Sequence, residues 1–72
     1  MEYTYHNSSS KEQYVVIEPH FDEFYLAAGE KLIISTEDND PIDIYREINK
    51  YGTIILCLNY SHNYKTLIVS DK

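Results

Sequence analysis

A single cysteine, Cys57, denies this chain an internal disulfide, one of the usual supports of a small domain. Zinc is no better provided for, since no Cys-x-x-Cys, His-x-His or His-Glu-x-x-His spacing occurs. The only two glycines, Gly29 and Gly52, lie far apart, so a Gly-rich phosphate loop cannot form and P-loop or Rossmann chemistry is excluded. None of Ser8, Ser9, Ser10, Ser35, Ser61 and Ser70 stands in a Gly-x-Ser-x-Gly elbow. Ser61 and His62 are adjacent, a spacing that does not aim a base at its neighbour's hydroxyl. No catalytic set, metal or cofactor is expected, and the chain reads as a non-enzyme.

Positive charge is also scarce. Twelve acids against six bases give a formal charge of −6, and Lys11, Lys31, Arg46, Lys50, Lys65 and Lys72 are scattered. Direct nucleic-acid binding needs a concentrated basic stripe and is not expected. No apolar run nears the ~20 residues of a membrane span. The start, Met1 to His6, has neither a basic region nor an apolar core, so a signal peptide is not expected. A cytoplasmic location with a reduced thiol is the expectation.

What the chain does have is β-branched and aromatic residues, including eight tyrosines. Thr53 to Leu58, Thr-Ile-Ile-Leu-Cys-Leu, is its most apolar stretch and is bounded by turn residues on both sides. It is too short for a helix and suits a strand apolar on both faces. Alternation sends Ile54, Leu56 and Leu58 to the core and Ile55 and Cys57 to the opposite face. If Ile55 and Cys57 are also covered, the sheet closes into a barrel. If they are open, they mark an interface.

Around this strand the pattern predicts others. Residues 1–13 read as a short edge strand or tail followed by a polar loop, and Tyr14 to Glu18 as a strand ended by Pro19. Glu23 to Ala27 and Lys31 to Thr36 read as a hairpin about Gly29. Tyr64 to Val69 reads as the last strand. The segment 41–51 is ambiguous. Asp40 as N-cap, Pro41 at the first position and Gly52 beyond the end suit a helix, whereas its isoleucines and tyrosines suit a strand with a turn at Asn49 to Gly52.

Val15-Val16-Ile17-Glu18-Pro19, followed by Leu26-Ala27-Ala28-Gly29-Glu30-Lys31 leading into an apolar strand, resembles a set of small uncharacterised bacterial all-β proteins. The resemblance runs from about Val15 to Val69. It departs at His20, where that set has Trp, and at Tyr60-Ser61-His62-Asn63, where that set has Trp-Pro-Gly. It implies a strand over Ile42 to Ile48 and no function. The reading is therefore one all-β domain over residues 1–72: a small antiparallel barrel or curled sheet of about five or six short strands. The alternative is an α+β chain with a helix at 41–51.

Seventy-two residues bury only about 60% of the surface the unfolded chain exposes, so apolar surface is expected to remain for a partner. The function expected is a non-catalytic protein-binding module that binds another protein or itself, by analogy with inhibitors and immunity proteins. A small-molecule-binding barrel, with a tyrosine-lined pocket using His20 or His62, and an acidic mimic of nucleic acid are the alternatives. The candidate surface comprises Ile55, Cys57, Tyr51, Tyr60 and Tyr64 with the acids Glu37, Asp38, Asp40 and Asp43. Tyrosines pack across strands as readily as they line interfaces, and acids in a loop also serve to keep strand edges apart. Glu18, His20 and Asp22 would share one face of an extended chain and form a polar cluster, unless Pro19 breaks the alternation. An EF-hand loop beginning at Asp38 is excluded, since Asp43 and Asn49 stand where Gly and Glu are required.

Overall fold

A computed structural model of the chain describes residues 1–37, 41–59 and 63–70. Within them are seven strands and no helix: β1 (Glu2–His6), β2 (Gln13–Glu18), β3 (Asp22–Leu26), β4 (Glu30–Thr36), β5 (Ile44–Ile48), β6 (Ile54–Leu58) and β7 (Tyr64–Ser70). The chain is all-β, and the ambiguous segment is a strand. Its N-terminal signals for a helix are outweighed by the pairing of Ile44 to Ile48 with β6.

The strands form two sheets, with orders β1-β4-β7 and β3-β2-β6-β5, and they do not close into a barrel. Two pairings differ from the simple hairpin expectation. β3 pairs with β2, while β4 leaves for the other sheet and pairs with β1 and β7. The predicted hairpin about Gly29 is therefore a crossing between sheets. Similarly, β7 follows β6 in the chain but pairs with β4. One pair, β2 with β6, is parallel, with Val15 beside Ile54 and Ile17 beside Leu56. Parallel neighbours require a long connection, and here β3, β4 and β5 supply it.

β6 lies inside its sheet, between β2 and β5, with one face in the core and the other only half-buried. Ile54, Leu56 and Leu58 are buried as alternation predicted, with Val15, Ile17 and Leu26 from the same sheet and Tyr5, Leu32 and Ile34 from the other. The hairpin from β5 to β6 turns on Asn49, whose side-chain oxygen accepts the N–H groups of Tyr51 at 2.9 Å and Thr53 at 3.0 Å. Gly52 completes the turn at φ 82°, a region that costs a residue with a Cβ.

Two of the crossings, β1 to β2 and β3 to β4, are held by one buried polar residue. Asn7 is fully buried at the end of β1. Its side-chain NH2 donates to the carbonyls of Lys11 at 2.8 Å, Leu26 at 2.9 Å and Ala27 at 3.2 Å. Its side-chain oxygen accepts from the Ser9 N–H at 3.0 Å and hydroxyl at 2.7 Å. Its backbone N–H donates to the Glu30 carbonyl and its carbonyl accepts from Gly29 N–H, each at 2.9 Å. Two of the four chain crossings between the sheets, β1 to β2 and β3 to β4, thus end on Asn7.

Replacing Asn7 with Ala strands the buried Leu26 carbonyl, at a cost of about 1–3 kcal/mol, and removes the bonds to the part-buried carbonyls of Lys11 and Ala27. Urea unfolding of Asn7→Ala should show a loss of about 3 kcal/mol, comparable with the whole net stability of a core this small. Ser9→Ala should lose about 1 kcal/mol. An Asn7→Ala stability within 1 kcal/mol of wild type, about the worth of one ordinary hydrogen bond, would show that the crossings do not depend on this residue.

Candidate functional site

Strand alternation gives the β3-β2-β6-β5 sheet a second, outward face, and the registers define what stands on it. Across its middle run Glu23, Val16, Ile55 and Glu47, two aliphatic residues flanked on each side by a carboxylate. The next row places Glu18 beside Cys57 and Cys57 opposite Tyr45. On the other side of the middle row Tyr14 stands opposite Tyr25, their rings stacked at 5.0 Å. Val16, Ile55 and Cys57 are only half-buried although they lie at the centre of the sheet.

These residues form the floor of a shallow groove of about 440 Å³. Val16, Ile55 and Thr53 line its base, with Tyr14, Phe21, Glu18 and Glu23 around it. Phe21 is two-thirds exposed and holds φ at 61°, a left-handed conformation that costs a bulky L-residue about 1–2 kcal/mol. In this conformation its aromatic ring stands at the groove margin.

The face is electronegative. The only basic residue in the four strands of this sheet is Arg46, which alternates to the opposite face beside Leu56. Tyr14 donates its hydroxyl to Glu23, and this bond to a carboxylate pushes its pKa up to about 12. The Cys57 thiol donates to Glu18 Oε1 at 3.7 Å. Burial, then the charges of Glu18 and Glu47, push that thiol above its ordinary value.

The other expected residues are dispersed. Tyr51 is highly exposed in the β5–β6 turn, with the Lys50 ammonium 5.1 Å from its ring centre. Tyr64 begins β7, donates its hydroxyl to Asp22 and meets the His20 ring edge-on at 5.2 Å. Burial first, then Asp22, raises its pKa. Asp43 is exposed and accepts from Asn59 Nδ2 at 2.7 Å. Glu37 follows β4 and borders a smaller cavity of about 280 Å³ with Tyr64 and Lys65. Tyr60, Asp38, Asp40 and His62 lie outside the described residues.

The polar trio is divided between two surroundings. Glu18 points outward to Cys57, whereas Asp22, opposite Ile17 on the inward side, joins His20 at Tyr64. The chain bends at Glu18-Pro19 and Phe21, which ends the extended alternation that would have aligned them. Among the described residues no group of three or more His, Cys, Asp or Glu is placed to hold a metal ion. Tyr14, Val16, Phe21 and Glu23 were missed because the face they share with Ile55 forms only when β2 and β3 pair alongside the distant β6. Phe21 alone carried a local signal, an aromatic ring set among turn and acidic residues just after Pro19.

No family model, curated protein or solved structure matches this chain.

The raised thiol pKa predicts slow alkylation of Cys57. At pH 8 iodoacetamide should react more slowly with the folded chain than with the urea-unfolded one, whose thiol titrates near 8.5. The pH midpoint of the folded reaction should lie above that of the unfolded chain, because the folded thiol holds its proton to higher pH. Glu18→Gln should lower the folded midpoint by removing a neighbouring negative charge. Equal midpoints for the folded and unfolded chains would contradict this account of the face.

Proposed function

We propose that this chain is a non-catalytic protein-binding domain and that the outward face of the β3-β2-β6-β5 sheet receives the partner. The observation that carries the reading is the groove over Val16 and Ile55: an apolar floor at the centre of a sheet, rimmed by Tyr14, Phe21, Glu18 and Glu23. Centrally placed apolar and aromatic groups within a polar rim are the usual anatomy of a protein contact. The strained, exposed Phe21 supports it, since backbone strain of this kind concentrates at binding sites.

The rim chemistry selects the partner. Glu18, Glu23 and Glu47 favour a segment bearing arginine or lysine beside an aliphatic or aromatic residue. The apolar body would lie on Ile55 and Val16, and the cation would reach a flanking carboxylate. A lone thiol held protonated suits a reducing compartment, and we place the protein in the cytoplasm on that ground. The two sheets do not close, so a small molecule would find no barrel lumen between them.

A random-peptide selection on immobilised wild-type chain tests this. Peptides should be enriched in Arg or Lys next to an apolar residue, and Ile55→Lys should bind them at least about tenfold more weakly, the loss typical of one anchoring contact. Phe21→Gly should also lose binding while unfolding at the same or higher urea concentration, because it relieves the positive φ. Peptides that bind Ile55→Lys and Phe21→Gly as tightly as wild type would exclude this face. Acid-dependent binding at Glu37 and Asp43 instead would be abolished by moderate salt and by Glu37→Gln with Asp43→Asn, and would favour the nucleic-acid-mimic reading.

A further inference from the structure

The edge strands of this chain are not equally guarded. β1 carries Glu2, β3 carries Asp22 and Glu23, and β5 carries Arg46 and Glu47. Charged side chains on an edge discourage pairing with other strands. β7, Tyr-Lys-Thr-Leu-Ile-Val-Ser, is seven residues long, against five for each other edge, and has Lys65 as its only charge. Leu67 and Ile68 are both exposed, Leu67 to 59%.

The hydrogen-bond pattern shows which backbone groups this edge offers. Met1 and Thr36 exchange bonds in both directions, at 2.9 and 3.3 Å, and Asn7 N–H donates to the Glu30 carbonyl at 2.9 Å. In an antiparallel ladder bonded residues alternate, so Glu30, Leu32, Ile34 and Thr36 direct their backbone groups to β1. Lys31, Ile33 and Ser35 then direct theirs to β7, where they face Val69, Leu67 and Lys65. Thr66 and Ile68 in turn present their N–H and C=O groups outward, and no strand lies beyond β7 among the described residues.

We infer that β7 pairs antiparallel with β7 of a second copy of this chain, about a two-fold axis through Leu67. In that register Thr66 exchanges two hydrogen bonds with Ile68 of the second copy, and Ile68 exchanges two with its Thr66. The two Leu67 side chains meet on the outward face, extending the strip formed by Ile33 opposite Leu67 into the second molecule. Lys65 falls opposite Val69 and away from the other Lys65, so the symmetry brings no like charges together.

Charge also favours a second copy over a contact elsewhere on the same molecule. Two chains at −6 repel, and β7 is the one edge where they approach with no carboxylate on either meeting strand. Pairing there joins two three-stranded sheets into one of six strands. An edge contact of this length covers less than the roughly 1,600 Å² of a standard interface, so the dimer is weak and concentration-dependent. The surface is separate from the groove over Ile55, which lies on the other sheet.

Light scattering of the full chain from micromolar to millimolar concentration should show the mass rising from 8.5 kDa toward twice that value. Leu67→Lys places two ammonium groups opposite each other and should weaken association by about tenfold or more. Thr66→Pro removes an outward N–H without removing a bond to β4 and should prevent association. Hydrogen exchange gives a readout that needs no variant. The amides of Thr66 and Ile68 should gain protection as concentration rises, while those of Leu67 and Val69 are protected throughout. Ile55→Lys should leave association intact, which separates this result from any failure of the groove. A constant 8.5 kDa mass at millimolar concentration, or unchanged exchange at Thr66 and Ile68, would overturn the inference.

Discussion

Asn7 is where the two sheets become one domain. A chain that passes repeatedly between sheets must bury backbone where it crosses, and buried carbonyls without donors cost as much as the core can supply. The carbonyls of Leu26 and Ala27 leave β3 at such a crossing, and the Lys11 carbonyl precedes β2 at another. One primary amide satisfies all three while its oxygen holds Ser9. No aliphatic residue can do this, and a carboxylate would set acceptor against acceptor. Burial of a polar side chain among Leu26, Leu32 and Ile34 is thus a condition of the topology.

From that point the placement of β6 follows. Because β3 ends at Asn7 and β4 departs to pair with β1, the edge of β2 facing away from β3 is left for a later strand. β6 takes it in parallel, with β5 closing its other side. The most apolar stretch of the chain therefore lies in the only sheet with interior strands on both sides of its centre. Its inward residues complete the core with Tyr5 and Ile34, and among the described residues no second layer lies above its outward residues Ile55 and Cys57, which are half-buried.

How much of this was legible in the sequence depends on the range of the interaction concerned. Local patterns reported truly: the alternation of Ile54, Leu56 and Leu58, the strand ending at Pro19, and the turn at Gly52 all depend on nearby residues. Partnerships between strands did not, because Gly29 ends a tight turn whether the strands beside it pair or separate. Here the Asn7 carbonyl takes the Gly29 N–H, and β4 is drawn to β1. The segment at Ile44 to Ile48 was ambiguous for the same reason, its capping residues favouring a helix while β6 supplied a better set of hydrogen bonds. Of the candidate surface, Ile55 and Cys57 were readable from alternation alone. Tyr14, Val16 and Glu23 required knowledge that β2 lies between β3 and β6.

The distribution of charge connects both proposed surfaces to the same physical constraint. A small chain with a net charge of −6 resists contact with its own kind, and its acids occupy the outward face of one sheet and three of the four strand edges. Such a surface attracts basic partners over distances of about a Debye length, ~8 Å at physiological salt, and repels other acidic ones. The aliphatic floor between Glu23 and Glu47 then converts that attraction into a fixed position. β7 is the complement of this pattern, since it carries no carboxylate and the pairing proposed for it rests on backbone geometry. The same distribution of acids therefore separates the two proposed modes of contact: one surface would discriminate by charge, and the other would be open to an equally acidic copy because it carries no carboxylate.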